Sequence, residues 1–362
     1  MSYIVAIETA VPKHCHTKKD FANFFSNATE DASVKRKIKI ISDKTTIEKR
    51  YSVLKDYSLD ASEFEFYEKD KNLSPEPSLT KRMAVYKEEA IKLSIETVKK
   101  IKNIDEIKSS ITHLITVTCT GLFAPGLDIE LIRSLNLKPN IERSSVNFMG
   151  CNAAILALKN ADTICKSNAH AKVLIVCTEL CTLHFQKRFN DDYLLSNLLF
   201  ADGCAAVLVT AQLTNMVDDK LLKINSFNSL ILHNGYNDMA WQLSETGFLM
   251  NLTSYVSTLI KENIKLMLDS LAINPTEIDY WAIHPGGKKI IDDFFETLQV
   301  DKSKAAESYD VLKNYGNMSS PTVLFVLKKV IEKPTSHKKG ETIFSAAFGP
   351  GLSIETMQLT YA

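Results

Sequence analysis

The sequence has little that would tie it to nucleic acid, a membrane or the cell exterior. Its 43 basic and 43 acidic residues give a formal net charge of zero, which gives no support to a nucleic-acid or membrane-surface partner. No apolar run approaches the roughly 20 residues that a membrane span needs. No basic region precedes the apolar run in MSYIVAIETAVPKHC, so we expect no secretory signal. The seven cysteines are scattered and lack metal-ligand spacing, which favours free thiols in a reducing cytoplasm.

Apolar strands alternate with amphipathic helices along the 362 residues. The composition, 45% hydrophobic and 24% charged, is ordinary for a globular enzyme, and the length suits two domains or one two-part fold. Runs rich in Ile, Val and Leu predict strands at 3–9, 113–119, 172–178, 204–211, 280–284, 342–348 and 353–360. Longer stretches predict helices at 80–103, 151–168, 253–272 and 318–333. Several strand runs are apolar on both faces, which favours an α/β fold with helices on both sides of the sheet.

A weak internal repeat relates the two halves of the chain. IETVKKIKNIDEIKSSITHLITVTCTG and IKLMLDSLAINPTEIDYWAIHPGG each predict a helix, a turn, a strand and a loop of small residues. Thr118 and His284 end the paired strands, 166 positions apart. The same offset leads from Cys151 to Asn317, and each of these follows a glycine and opens a predicted helix. The agreement of the two offsets predicts a duplicated fold with a pseudo-twofold axis.

The repeat brings three reactive residue types to one predicted point. In a sandwich of two halves, 1–212 and 213–362, strand ends and helix starts meet at the centre, where open α/β sheets place active sites. A thiolate at Cys151 would be stabilised by the N-terminus of its helix, and an imidazolium at His284 would lower its pKa further. The amide of Asn317 would supply a second donor, and two donors aimed at one oxygen stabilise an oxyanion or enolate.

Each of these residues also has a structural alternative. A cysteine in an apolar context is usually a core residue, a histidine that ends a strand is usually structural, and an asparagine after glycine usually lies in a turn. A Cys-His-Asn protease is a further alternative, because the 133 positions between Cys151 and His284 resemble papain-like spacing. The local sequence typical of that cysteine is absent, however. A non-catalytic scaffold of the same fold is a last alternative, but such a protein would not need the cysteine, the histidine and the asparagine together.

Eight segments, in order along nearly the whole chain, carry a family resemblance. They are TCTGLFAPGLDIELIRSLNL, GCNAAILALKNADTIC, AKVLIVCTEL, LLFADGCAAVLV, TGFLMNL, AIHPGGKKIID, YGNMSSPTVLFVL and AAFGPGLSIE. HPGG, GNMSSP and GPGL are specific in combination, since the simpler ketoacyl synthases carry other residues after the histidine and the asparagine. On these residues the chain resembles the type III polyketide synthases, the chalcone-synthase-like branch of the thiolase superfamily. The resemblance implies a duplicated αβαβα thiolase-like sandwich.

The resemblance also implies an activity, that of a malonyl-CoA-dependent acyltransferase. Cys151 matches the acyl-accepting nucleophile, and His284 and Asn317 match the pair that activates the thiol and polarises the malonyl thioester. Decarboxylation would give an enolate that lengthens the acyl chain, and cyclisation would give a pyrone, resorcinol or phloroglucinol. The alternative within the superfamily is a single-condensation enzyme like ketoacyl synthase III. Acyl-CoA and malonyl-CoA are the expected substrates, and no metal or redox cofactor is expected.

Further positions match the substrate pocket of the family. They are Cys119, Cys181, His184, Phe200, Trp241, Met250 and Ser319. Phe200 matches a gatekeeper aromatic, although core packing is its alternative, and Met250 replaces a second gatekeeper phenylalanine of plant members. Trp241 lies where plant members have glycine, so it should fill or redirect part of the cavity. Cys119 is either a second pocket thiol or an ordinary buried strand cysteine.

The resemblance extends to the CoA entrance and to a partner subunit. Lys44 and Lys37 match lysines of the CoA entrance, although a basic helix face is usually just solvated. Ala124 replaces a methionine that many plant members extend into the partner's pocket, so a homodimer with a changed contact is expected. Residues 52–79 are charged and punctuated by proline, which predicts a surface excursion near the entrance.

Overall fold

A computed structural model describes residues 1–212, 221–253, 255–334 and 337–362. The predicted boundary between the two halves, after residue 212, adjoins residues 213–220, which lie outside the described ranges. The strands are β1 Ser2–Ala10, β2 His14–Thr17, β3 Lys49–Ser52, β4 His113–Thr118, β5 Glu142–Asn147, β6 Lys172–Leu180, β7 Asp202–Thr210, β8 Leu222–Ile231, β9 Met239–Ser244, β10 Gly247–Leu252, β11 Tyr280–Ile283, β12 Thr342–Gly349 and β13 Ser353–Tyr361.

The helices alternate with these strands. They are α1 Lys18–Asn27, α2 Ala32–Thr45, α3 Leu79–Lys99, α4 Ile104–Ile107, α5 Leu127–Ser134, α6 Ala153–Ser167, α7 Asp191–Leu199, α8 Val256–Ser270, α9 Lys288–Leu298, α10 Ala306–Tyr315 and α11 Thr322–Ile331. Within the described ranges, no helix is long and apolar enough to cross a membrane.

Nine strands form one sheet, in the order β11-β12-β13-β8-β1-β7-β6-β4-β5. From the centre outward, β1-β7-β6-β4 and β8-β13-β12-β11 show the same pattern, two antiparallel pairings followed by one parallel pairing. A short antiparallel ladder between residues 2–4 and 222–224 joins the two half-sheets. The two halves therefore share one topology, which confirms the duplication that the sequence predicts.

Alternate residues of the central strands belong to different hydrophobic clusters. In β6, Val173 and Ile175 join the central cluster with α6 and α11, whereas Leu174 and Val176 join an outer cluster with α1, α3 and α5. The strands of the second half divide in the same way, and their outer cluster contains α8 and α9. The layers are therefore helix, sheet, helix, sheet, helix, as expected for the thiolase-like sandwich. The two half-sheets are continuous at β1 and β8.

Helix starts and polar strands differ from the sequence prediction. The helices predicted from 151 and 318 begin at Ala153 and Thr322, so Cys151 and Asn317 lie in the turns before them. The strand β5, ERSSVN, was not predicted, because it is polar and exposed and has no alternating pattern. Its strand conformation comes from its parallel pairing with β4. Residues distant in sequence thus decide where such helices begin and whether a polar segment such as β5 forms a strand.

The segment 52–79 is only partly a surface excursion. The buried carboxylate of Asp56 accepts the backbone N–H groups of residues 65–67 at 2.9–3.3 Å, which folds the segment back on itself. This arrangement places Phe64, Phe66 and Tyr67 in the outer core of the first half. The prediction is therefore wrong for the aromatic side of the segment, where one buried acid organises a compact loop.

Candidate active site

The structure brings Cys151, His284 and Asn317 to one pocket between the two halves. The Sγ atom of Cys151 lies 3.9 Å from the side-chain oxygen of Asn317. The backbone N–H of His284, the first residue after β11, donates to the carbonyl of Ala346 at 2.8 Å. Each half therefore contributes reactive groups, and neither half contains all three.

Two glycines allow the loops of the two halves to cross beside this pocket. Gly150 has a φ of +83°, and a Cβ atom there would lie 2.1 Å from Cδ of Pro350. A Cβ at Gly349 would lie 2.5 Å from Oδ1 of Asn152. Because both contacts leave no room for a side chain, the GPG loop of the second half can pack directly on the turn that contains Cys151.

Backbone pairing holds Asn317 in place. Its N–H donates to the carbonyl of Leu199 at 3.0 Å, and its carbonyl accepts from Ala201 at 2.8 Å. The side-chain oxygen of Asn317 accepts the backbone N–H of Ser319 at 2.8 Å, whereas the amide NH2 group makes only a long contact of 3.5 Å, to the carbonyl of Gly286. The oxygen is therefore fixed, and the amide retains the capacity to donate to a substrate oxygen.

His284 is buried, and within the described part of the chain neither of its ring nitrogens has a hydrogen-bond partner. Burial lowers the pKa of His284 to about 3, so the ring is neutral. A buried unsatisfied ring is costly, and such groups are expected where a substrate supplies the missing partner. His284 can thus serve as a base through one nitrogen or as a donor through the other.

The thiol of Cys151 differs from the sequence prediction. Burial raises its pKa to about 12, although hydrogen bonds with Ser319 and Asn317 oppose the rise. This direction is opposite to the lowered pKa that the sequence predicts, because burial penalises either charge alone. Proton transfer from Cys151 to His284 would create both charges together, and each would then stabilise the other.

The pocket around these residues is lined mostly by apolar side chains. Its free volume is about 30 Å³. The predicted residues that line it are Cys119, Cys181, Phe200, Trp241, Met250 and Ser319. Trp241 donates its indole N–H to the carbonyl of Cys119 at 2.9 Å. The indole therefore lies against the pocket, and its effect on the size of the cavity stays a prediction.

His184 does not line this pocket, contrary to the prediction. It lines a neighbouring cavity, and its ring stacks on Phe248 at 4.2 Å between ring centres. Burial lowers its pKa to about 3, partly offset by the hydrogen bond to the carbonyl of Thr120, so the ring is neutral. The nearness of His184 to Cys181 in the sequence suggested a pocket residue. In the structure, its ring packs behind the pocket wall.

Glu179 is a buried residue that the sequence prediction missed. One of its carboxylate oxygens accepts from the N–H of Cys119 and the hydroxyl of Thr120, both at 2.8 Å. The other oxygen accepts from the hydroxyl of Ser320 at 2.7 Å. Burial raises the pKa of Glu179 to about 6. The sequence did contain a signal for this network, namely an acid within the apolar run KVLIVCTEL. An acid buried in such a strand needs several hydrogen-bond donors around it.

Cys119 lies against the same network. Its sulfur accepts the backbone N–H of Gly150 at 3.0 Å, and burial raises its pKa well above the usual value. It is therefore both a pocket-lining residue and a buried structural thiol, so the two sequence alternatives are compatible.

The two lysines assigned to the CoA entrance lie on the surface of α2. The ammonium of Lys37 pairs with the carboxylate of Asp191 at 2.8 Å, and both side chains are more than half exposed. Lys44 is exposed in the last turn of the helix. Neither residue lines the pocket of Cys151, and their role in CoA binding stays a prediction.

A cysteine, a histidine and an asparagine between the halves of a duplicated αβαβα sandwich define the class of thiolase-fold condensing enzymes. Two sequence profiles agree with this class: chalcone and stilbene synthases, N-terminal domain, over residues 1–213, and C-terminal domain, over residues 223–361. The chain belongs to the chalcone and stilbene synthase family, the type III polyketide synthases, which are malonyl-CoA-dependent condensing acyltransferases.

Individual relatives agree with this membership. The chain is 31% identical, over 99% of its length and 90% of the relative's, to the alpha-pyrone synthesis polyketide synthase-like Pks18 of Mycobacterium tuberculosis. Among solved structures, PKS-I of the brown alga Ectocarpus siliculosus is 26% identical, with a TM-score of 0.90 over 100% of this chain and 98% of that one. The type III domain of Steely1 from Dictyostelium is also 26% identical, with a TM-score of 0.88 over 99% of each chain. This membership excludes the protease alternative.

Proposed function

We propose that Cys151 carries the growing acyl chain and that His284 and Asn317 hold the carbonyl of malonyl-CoA while it loses CO2. The observation that carries the proposal is the 3.9 Å approach of Cys151 Sγ to the Asn317 side chain, in a pocket that also contains the ring of His284, which has no hydrogen-bond partner among the described residues. The three groups needed for acyl transfer and enolate stabilisation therefore share one apolar cavity.

In the loading step, His284 accepts the thiol proton as Cys151 Sγ attacks the thioester carbonyl of acyl-CoA. The bond from the carbonyl carbon to the CoA sulfur breaks, and CoA leaves as a thiol after it takes the proton from His284. The lowered pKa of His284 supports this role, because a base must begin without the proton that it accepts.

In the extension step, the bond between the methylene carbon of malonyl-CoA and its carboxylate carbon breaks, and CO2 leaves. The electron pair moves onto the thioester oxygen, which accepts hydrogen bonds from the N–H groups of His284 and Asn317. The resulting enolate carbon attacks the acyl carbonyl on Cys151, and the sulfur leaves as the new carbon–carbon bond forms. Neutral donors suit this step, because the charge appears only as CO2 departs and the donors need no rearrangement.

We further propose an apolar acyl starter, few extensions and release as an α-pyrone. The indole of Trp241, which lines the pocket and donates to the carbonyl of Cys119, supports a short polyketide chain. Extension leaves the chain as a CoA thioester, and each further extension begins with its transfer back to Cys151, with CoA leaving as the thiol. In the release step, an enol oxygen of the CoA-bound chain attacks the thioester carbonyl, the carbon–sulfur bond breaks, and CoA leaves as the thiol with the enol proton. The name of the relative Pks18, which refers to alpha-pyrone synthesis, is a second support.

The proposal needs no metal or redox cofactor, because the steps above only make and break acyl, carbon–carbon and S–H bonds. CoA thioesters are its substrates, and Lys37 and Lys44 on α2 are the proposed contacts for the CoA phosphates. The free state of all seven cysteines supports a reducing compartment, and we propose the cytoplasm.

We propose a homodimer formed through β5. This strand lies at one end of the nine-stranded sheet, and most of its residues are exposed. Met149 follows the strand by two residues and is 47% exposed. An exposed strand edge with apolar neighbours is suited to pairing with a second copy. Replacement of Met149 by glutamate should convert the dimer to a monomer in light scattering, whereas a monomeric wild-type protein would contradict this part of the proposal.

The catalytic assignment is tested by separating loading from decarboxylation. The protein is incubated with a panel of acyl-CoAs and malonyl-CoA, and acyl adducts, CO2 and products are measured by mass spectrometry. Cys151→Ala should lose the adduct and all products but still release CO2. Asn317→Ala should form the adduct and release CO2 about 10²–10³ times more slowly.

Cys165→Ala is the matched control, because Cys165 is a buried free thiol in α6 that does not line the pocket. It should retain loading, CO2 release and product formation. Normal elongation by Cys151→Ala would show that the covalent mechanism is wrong.

A further inference from the structure

We propose that His184 is a positioning residue that holds Trp241 across the active-site pocket and thereby limits the number of extensions. The inference rests on the proposed function, since it concerns the length of the chain made there. His184 does not line the pocket of Cys151 but lines the neighbouring cavity. Its effect would pass through the hairpin of β9 and β10.

This hairpin forms one wall of the pocket. It is a two-stranded sheet of its own, separate from the nine-stranded sheet. Trp241 of β9 pairs directly with Met250 of β10, and both side chains line the pocket.

Among the described residues, the backbone of the hairpin is held by single hydrogen bonds rather than by a ladder to the main sheet. Gly351 donates to the carbonyl of Met239 at 2.9 Å, and Leu79 donates to the carbonyl of Glu245 at 2.8 Å. The wall therefore depends on where the hairpin is docked.

The ring of His184 links the hairpin to the end of β4 through both nitrogens. The backbone N–H of Phe248 in β10 donates to Nδ1 at 3.1 Å, so Nδ1 must be the unprotonated nitrogen. Nε2 therefore carries the proton and donates it to the carbonyl of Thr120 at 2.7 Å. The partners alone assign this tautomer, and one neutral ring joins the two segments.

Trp241 makes a second link to the same place. Its indole N–H donates to the carbonyl of Cys119, the residue before Thr120. The ring of His184 stacks on Phe248 with an interplanar angle of 8°, and Trp241 meets both rings edge-on with centroids 6.0 Å away. The indole is therefore held by one hydrogen bond of its own and by a ring pair that His184 fixes.

A second cavity lies on the other side of this wall. It also has a free volume of about 30 Å³. Four residues line both cavities: Cys181, Phe200, Trp241 and Met250. His184 and Phe248 line only the second cavity. If the hairpin moved away from Cys119 and Thr120, the partition would open and the two spaces would join, which would give room for a longer chain.

Three variants separate the contributions of the His184 ring. His184→Phe keeps a flat ring that can stack on Phe248 and removes both hydrogen bonds. His184→Gln keeps a donor near the position of Nε2, and His184→Asn keeps an acceptor near the position of Nδ1. Trp241→Gly removes the wall itself and serves as the reference. Products formed from an accepted acyl-CoA and malonyl-CoA are separated by mass, and the ratio of longer to shorter chains is the readout.

We expect the ratio of longer to shorter products to rise about tenfold in His184→Phe, since a buried link with two hydrogen bonds is lost. His184→Gln and His184→Asn should show smaller rises, because each keeps one bond. In the Trp241→Gly background, His184→Phe should cause no further change in the ratio. Rates of CO2 release should stay within about threefold of wild type, because His284 and Asn317 are untouched.

An unchanged product ratio in His184→Phe would overturn the inference, as would an equal shift in the Trp241→Gly background. If His184→Phe does not fold, the Gln and Asn variants decide by the same two criteria. A merely structural role would lower the yield of all products equally and leave their ratio unchanged. Failure of the proposed function is distinguishable, since wild-type protein would then form no acyl adduct on Cys151 and release no CO2.

Discussion

The two halves of the molecule have one topology and two different chemistries. Both place a turn and a helix against the centre of the sandwich, and the turns contain Cys151 in the first half and Asn317 in the second. These residues contact each other across the halves. Duplication therefore supplied two equivalent positions at one point, and the difference between them supplies a nucleophile and a hydrogen-bond donor.

The loops that follow the paired strands β4 and β11 show the same contrast. Cys119 is the first residue after β4, and His284 is the first residue after β11. The sulfur of Cys119 accepts a hydrogen bond from Gly150, whereas the ring of His284 has no partner among the described residues. The comparison indicates that one half uses this loop for structure and the other half leaves a ring unsatisfied there for a substrate.

The largest expected effect separates these two residues. His284→Ala should lower kcat/KM for elongation by about 10²–10⁴, the usual contribution of a general acid or base. Cys119→Ala, a change in the corresponding loop of the first half, should lower kcat/KM by less than about tenfold, because only a hydrogen-bond acceptor in the wall is lost. Steady-state kinetics with malonyl-CoA checks both. Equal losses in the two variants would mean that the halves do not divide their roles in this way.

The next largest effect is expected on stability, at the point where the loops containing Gly150 and Pro350 cross. Gly150→Ala should lower the free energy of unfolding by about 3 kcal/mol, through a positive φ and a clash with Pro350. Gly340→Ala is the matched control, since Gly340 has a φ of +90° but nothing within 4 Å of the added Cβ. It should cost only about 1 kcal/mol, from the backbone alone. Urea unfolding measures both values, and similar losses would show that the approach of the two halves at Pro350 is not tight.

Glu179 of the first half should make stability depend on pH. Its pKa is raised by burial from 4.5 to about 6, so the folded protein holds this proton over a range where the unfolded chain has lost it. The free energy of unfolding should therefore fall by about 2 kcal/mol as pH rises from about 4.5 to about 6, and Glu179→Gln should remove this fall. Urea unfolding at several pH values compares the two proteins, and parallel curves would contradict the assignment.

The smallest effect is expected at the surface of α2. Lys44→Ala and Lys37→Ala should raise KM for malonyl-CoA by less than about tenfold and leave kcat unchanged, since exposed charges contribute little. The change should be smaller for Lys37, because its ammonium already pairs with Asp191. Both effects should weaken as salt is added. A fall in kcat without a change in KM would exclude a role for these lysines in binding CoA.

Much of this protein could be read from periodic patterns and short motifs. Apolar runs on both faces marked the central strands, because strands buried on both sides have little choice of residue. The 166-residue offset between Cys151 and Asn317 indicated the duplication. The polar strand β5 and the compact loop around Asp56 escaped prediction, because their partners are distant in sequence and leave no local pattern.

The sequence by itself determined the family, the duplicated fold and the meeting of Cys151, His284 and Asn317. Only the tertiary structure decided the protonation state of that site and the shape of its pocket. Burial makes the thiol and the ring neutral, and burial depends on everything packed around them. The same holds for His184, which lies behind the wall because the hairpin of β9 and β10 docks against Thr120.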